Sequence, residues 1–168
     1  MEDNAIYCTD FCGNTMALFT AGYEGLDIDS FLAGLRHAGV EKVVDVRQLP
    51  VSRKKGFSKT SFAEQLRASG IEYEHVKALG CPKPIRDQYK KDRDWANYTK
   101  HFRAYIATQS ETVRDVASEA SEINACLICF EADVMYCHRR FVAEASKQIN
   151  PELHVKHLAI KKEIAVAV

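Results

Sequence analysis

The sequence predicts an α/β fold in three layers, a mostly parallel sheet covered by helices on both faces. Two observations carry this. Short apolar or β-branched runs, such as MALFTAG from Met16 and KVVDV at Lys42 to Val46, lack the in-out alternation of a sheet that faces water. Between such runs lie segments whose apolar residues recur at helical spacing, so strands and helices alternate along the chain.

The run from Met16 is the first strand, entering a glycine-rich turn at Gly22 to Gly25. Phe31, Leu32 and Leu35 share one face of a helix capped by Asp29 or Ser30 and stopped by Gly39. Lys42 to Val46 is the second strand. The polar, basic stretch 50–59 is a loop at its exit. Ser61 and Glu64 have capping-box spacing, which opens a helix through Leu66 that Gly70 ends; a third strand follows at Ile71 to Val76. Residues 80–94 mix glycine, proline and charge, which predicts a long mobile excursion able to act as a lid. Tyr98, Phe102, Tyr105 and Ile106, then Val113, Val116 and Ala117 after a break near Ser110, mark two packing helices. A fourth strand at Ala125 to Phe130, a helix from Arg139 to Ile149 and a last strand at Leu153 to Leu158 complete the domain, read as residues 16–160. An N-terminal extension, 1–15, and a C-terminal tail, 161–168, flank it.

With 168 residues, 46% of them hydrophobic, the chain is long enough to bury a substantial single core. Lys plus Arg and Asp plus Glu both number 23, so no global basic field attracts nucleic acid or membrane, and any anion site is local. The acidic start MEDNAIYCTD lacks a secretory signal's basic flank and apolar run. No stretch approaches the roughly 20 apolar residues of a membrane helix, and a cytoplasmic protein without membrane contact is expected. The six cysteines are then expected to be reduced thiols. Cys126 and Cys129 form a C-x-x-C, but an offset of three along a strand sends the side chains to opposite faces, so both are read as core thiols. Nothing fixes the oligomeric state.

In parallel sheets, ligands bind beyond the carboxyl ends of the strands. That edge receives Tyr23 and Glu24 from the first strand, Asp45 and Arg47 from the second, and Glu131 from the fourth. The densest group is Glu131-x5-Cys137-His138-Arg139, whose last three residues sit at a helix start that favours an anion or a thiolate. Cys137 is either an activated nucleophile or a small packing residue beneath His138 and Arg139. Asp45 and Arg47 share one side of an extended segment. They form either a structural ion pair or an oriented carboxylate beside an arginine that grips a phosphate. Ser52, Arg53, Lys54, Lys55 and Lys59 with Phe57 combine cations with an aromatic, as phosphate contact and base stacking require, although such a run is more often simply solvated. A second patch, Arg86, Lys90, Lys91, Arg93 and Trp95, is diluted by Asp87, Asp92 and Asp94. His75, His101, His138, His154 and His157 show no compact ligand motif, so no metal or other cofactor is expected.

Several ordered motifs together resemble the family of the domain of unknown function 488. They are TAGYEG at Thr20 to Gly25, VDVR at Val44 to Arg47, P-x-S-R at Pro50 to Arg53 and GFSK at Gly56 to Lys59, then Y-x-H at Tyr73 to His75, Leu79-Gly80, CFE at Cys129 to Glu131 and CHR at Cys137 to Arg139. The resemblance spans about residues 17 to 158 and departs at Cys81, where another small residue is expected. It implies a compact α/β domain with its motif residues gathered at one sheet edge, and it supplies no activity.

Three functions remain open. The first is a hydrolytic enzyme acting on DNA, RNA or a nucleotide, for example in removing a damaged base. There Arg47, Arg53 and Arg139 hold phosphates, Tyr23 or Phe57 stacks on a base, and Asp45 or Glu131 activates water. The second is a thiol enzyme in which Cys137 attacks and His138 handles protons. The third is a non-catalytic module holding a nucleotide or another anion in the same pocket.

Overall fold

A computed structural model describes residues 16–162; the expected N-terminal extension, 1–15, and residues 163–168 of the expected tail lie outside the described part. Five strands form one all-parallel sheet in the order β3-β2-β4-β1-β5. They are β1 (Ala17–Gly22), β2 (Lys42–Asp45), β3 (Glu72–His75), β4 (Ala125–Cys129) and β5 (His154–His157). Every residue of β1 and β4 is buried, whereas the edge strands β3 and β5 alternate or face solvent, which is why their sequences, EYEH and HVKH, are polar. The three-layer α/β reading therefore holds.

Helices α1 (Ile28–His37) and α2 (Lys59–Ala68) cover one face, burying Phe31, Leu35, Phe62 and Leu66 against Val43, Cys126 and Ile128. Helices α4 (Trp95–Ala107), α5 (Ser110–Glu119) and α6 (Arg139–Ile149) cover the other, packing Phe102, Val116 and Val142 on Val44 and Leu127. Full burial of one such side chain contributes about 1.5–3 kcal/mol, so each layer rests on many comparable terms. Cys126 and Cys129 fall in the two opposite cores, as the strand period requires. No described helix is long and apolar enough to cross a membrane.

Three local readings are corrected. The cap of α1 is Asp27, whose Oδ1 accepts from Ser30 N at 2.8 Å; Asp29 and Ser30 lie inside the helix. Helix α2 opens at Ser58, so Ser61 and Glu64 sit past its start, and Ser58 Oγ instead donates to the Ser52 carbonyl at 2.9 Å, fastening the basic loop. The 80–94 excursion is largely helix: α3 (Lys83–Asp92) starts from Pro82 with Pro84 in its first turn, a position where proline's missing N–H costs nothing. A Lys83–Asp87 pair at 2.6 Å braces its exposed face, and Ile85 and Tyr89 pack on the core.

Candidate functional site

The exits of β1, β2 and β4 lie side by side, and α3 covers them. A cavity of about 700 Å³ opens there, within the ordinary range for small-molecule sites. A second cavity, about 290 Å³, is lined by helix residues such as Ile106, Val113 and Phe141 and reaches no strand end. The larger one is the candidate site, since it lies where parallel sheets place their ligands.

Its foundation is a buried ion pair. Arg47 donates Nε to Asp45 Oδ1 at 2.8 Å and Nη2 to Oδ2 at 2.6 Å, a two-pronged contact. Tyr73 Oη adds a donation to Asp45 Oδ2 at 2.7 Å. Arg47 Nη1 donates to Tyr23 Oη at 3.0 Å and to the Phe57 carbonyl at 2.6 Å. Burial opposes the Arg47 charge, yet the Asp45 carboxylate more than offsets it and holds the guanidinium above its ordinary pKa. Burial, and then its bond to Asp45, push the Tyr73 phenol up. Phe57 is fully buried and stacks on Tyr23 at 4.2 Å. The expected stacking of Phe57 on a base is therefore corrected: the loop folds inward because Arg47 claims its carbonyl, and the ring joins the core.

The second half of the floor comes from β4 and α6. Glu131 Oε2 lies 2.9 Å from Cys129 Sγ and 3.3 Å from Cys137 Sγ, and the two sulfurs meet although eight residues separate them. His138 donates Nε2–H to the Val46 carbonyl at 2.8 Å, which leaves Nδ1 as the nitrogen with a lone pair. Burial holds this imidazole below its usual pKa. Arg139 is 1% exposed. Its Nη1 donates to the Glu131 carbonyl and, at 3.4 Å, to Cys129 Sγ, while Nη2 donates to the Ala132 carbonyl at 3.1 Å. It clamps the turn after β4 and offers no free face to a phosphate. Glu24 clips the same turn by accepting from Ala132 N at 3.0 Å. Gly22 is required at the β1 exit, because a Cβ there would lie 1.8 Å from the Glu131 carbonyl oxygen.

Of the residues singled out in the sequence, Tyr23, Arg47, Ser52, Arg53, Lys54, Glu131 and His138 line the cavity, as do Arg86, Lys90 and Trp95 of the second patch. Asp45, Cys137 and Arg139 lie buried behind its wall, and Glu24 and Lys59 lie outside it. Cys129 and Tyr89 are among the lining residues that were missed. Cys129 is no mere core thiol, because its position at the strand end makes it part of the floor. Tyr89 joins Arg86, Lys90 and Trp95 of the second patch on the far wall, and its three-residue step from Arg86, close to one helical turn, is the signal that could have placed it beside them. Arg86 Nε is buried with no hydrogen-bond partner among the described residues. At the mouth, Leu49, Val51, Phe130 and Tyr136 are four of the six exposed large hydrophobics among the described residues.

No curated protein and no solved structure matches the chain. A family model does, over residues 27–146. The match takes in the VDVR, CFE and CHR motifs and stops short of TAGYEG. The chain belongs to the family of the domain of unknown function DUF488.

Proposed function

We propose that the protein is a hydrolase that acts on a nucleotide or on a nucleic acid, DNA or RNA, held in this cavity. The observation behind the reading is one wall chemistry around one acid: Arg53, Lys54, Arg86 and Lys90 with Tyr89, Trp95 and Tyr136 surround Glu131 and His138. Cations meet phosphates, and aromatic and apolar faces accept a base whatever its edge. Glu131 directs its second carboxylate oxygen to a water, while His138, neutral and fixed on Val46, holds a lone pair for the proton. Damaged-base removal suits the arrangement, because about 700 Å³ accommodates a flipped nucleotide and a carboxylate can stabilise the cationic sugar it leaves. The thiol reading is weaker: Cys137 is 1% exposed and faces Glu131, not the cavity. A cytoplasmic setting, which keeps thiols reduced, suits such a floor.

The test is fluorescence anisotropy with mononucleotides and single- and double-stranded DNA and RNA at low salt, followed by product analysis on DNA carrying damaged bases. Binding that weakens with salt, and turnover lost in Glu131→Gln with binding retained, is the expected result. No binding to any of these polymers or nucleotides, with no product, would overturn it.

A further inference from the structure

The floor holds a constellation of which the hydrolytic reading uses only Glu131 and His138, and a cation bound there would take over from those two side chains the activation of water. Cys129, Glu131, Cys137 and His138 each offer a ligand atom, and the four atoms all lie within 4.8 Å of one another. Ligands around a tetrahedral zinc, with bonds of about 2.0–2.3 Å, fall inside such an envelope. We infer that these residues bind one thiophilic divalent cation, Zn²⁺, with Cys129, Cys137 and His138 as fixed ligands and Glu131 as the fourth.

Three independent features favour a cation here. The first is ligand preparation. His138 donates Nε2–H to a backbone carbonyl at 2.8 Å, the second-shell bond that orients a metal-binding imidazole and leaves its other nitrogen to ligate. The second is charge. Arg139 donates to Cys129 Sγ at 3.4 Å, a contact that favours thiolate over thiol, and a single carboxylate oxygen sits within 3.3 Å of both sulfurs. Two thiolates and a carboxylate this close repel one another unless protons or a cation intervene. The third is backbone spacing. The Cα atoms of Cys129 and Cys137 are 7.8 Å apart, beyond the roughly 4.4–6.8 Å that disulfides span, so closing a covalent bridge requires the backbone to draw in. A shared ion suits that backbone spacing, and only the two thiol side chains need turn apart to admit it. Two thiolates with an imidazole select zinc over the harder magnesium and calcium.

The ligands also divide by position. Cys137 is sealed behind the wall, while Cys129, Glu131 and His138 reach the cavity. Glu131, on the turn after β4, is the least buried of the four and is the ligand that an incoming anion or water displaces. The ion is then a Lewis acid at the bottom of the cleft, three of its positions held by protein as in catalytic zinc sites.

Metal binding is measured without substrate, so its failure is separable from failure of the hydrolytic reading. The full chain, purified under reducing conditions and stripped with chelator, is titrated with Co²⁺ and then with Zn²⁺. The expected result is one equivalent of Co²⁺, an intense near-ultraviolet thiolate-to-cobalt band, visible bands of tetrahedral strength, and their loss on adding Zn²⁺. Cys137→Ser weakens Co²⁺ binding by about 100-fold or more, Glu131→Gln keeps the thiolate band but alters the visible bands, and Cys126→Ala, in the opposite core, changes neither. Because the wild-type titration stands alone, a variant that fails to fold does not rescue the idea. Absence of a thiolate-to-cobalt band in the reduced wild type overturns it, as does peptide mapping that finds Cys129 and Cys137 covalently joined after purification in reductant.

Discussion

The floor and the rim of the cleft use the same residue types in opposite ways. On the floor, Arg47 and Arg139 are 6% and 1% exposed and spend their guanidinium groups on Asp45, Tyr23 and backbone carbonyls. On the rim, Arg53 and Lys90 are exposed. The cations of the VDVR and CHR motifs are thus internal braces, and those of the basic loop and α3 are the ones free to meet a ligand. A buried cation with all partners inside the protein stores stability; a rim cation can be removed with little structural effect.

The comparison breaks most sharply at Arg47. Arg47→Ala leaves the Asp45 carboxylate buried with no cation and only the Tyr73 hydroxyl and the residue-47 N–H as donors, and unfolding in denaturant is expected to show about 3–5 kcal/mol of lost stability. A loss under about 1 kcal/mol would place Arg47 with the rim. Arg139→Ala follows at about 2–3 kcal/mol, because it strips donors from the Glu131 and Ala132 carbonyls, and it should also loosen the turn that carries Glu131. Hydrogen exchange of the amides at 130–134 reports that loosening directly.

On α3, the paired change Arg86→Ala and Lys90→Ala, one cation half-buried and one exposed, should cost less than about 1 kcal/mol of stability while weakening nucleotide or oligonucleotide binding about 10-fold. The slope of log affinity against log salt should fall by about 1 for each phosphate contact removed. An unchanged salt slope would detach α3 from ligand binding. The smallest effect belongs to Cys81, which lies between the two regions. Burial pushes its thiol up to about 11, so the unfolded chain releases this proton first as pH rises. Stability should therefore decline between about pH 9 and 11 more steeply in the wild type than in Cys81→Ala, and equal slopes would show the thiol to be solvated.

Much of this was legible in the chain. The buried runs gave β1, β2 and β4, and the strand-exit rule then delivered Tyr23, Arg47 and Glu131 to one edge. What stayed hidden was set by long-range contacts. The period of a strand puts Asp45 and Arg47 on one side but says nothing of Tyr73, 28 residues on from Asp45, which takes a carboxylate oxygen that the activation of water would need. Residues 80–94 read as a loop because proline and alternating charge suppress helical expectation, whereas Pro84 sits where a helix tolerates it and the charges pair along one face. Glu131, Cys137 and His138 were legible as one group, whereas Cys129 escaped because it ends a strand across a turn from them, and no fixed-spacing motif describes residues brought together by a chain reversal.

The glycine at the end of β1 has a consequence for genetics. Position 22 faces the Glu131 carbonyl with no room for a methyl group, so every substitution displaces the acid's backbone. In a saturation mutagenesis screen for activity, Gly22 would score as intolerant as Glu131 itself while touching no substrate. Intolerance at position 22 would be the shadow cast by the neighbouring acid, and a screen that also records protein abundance would tell the shadow from its source.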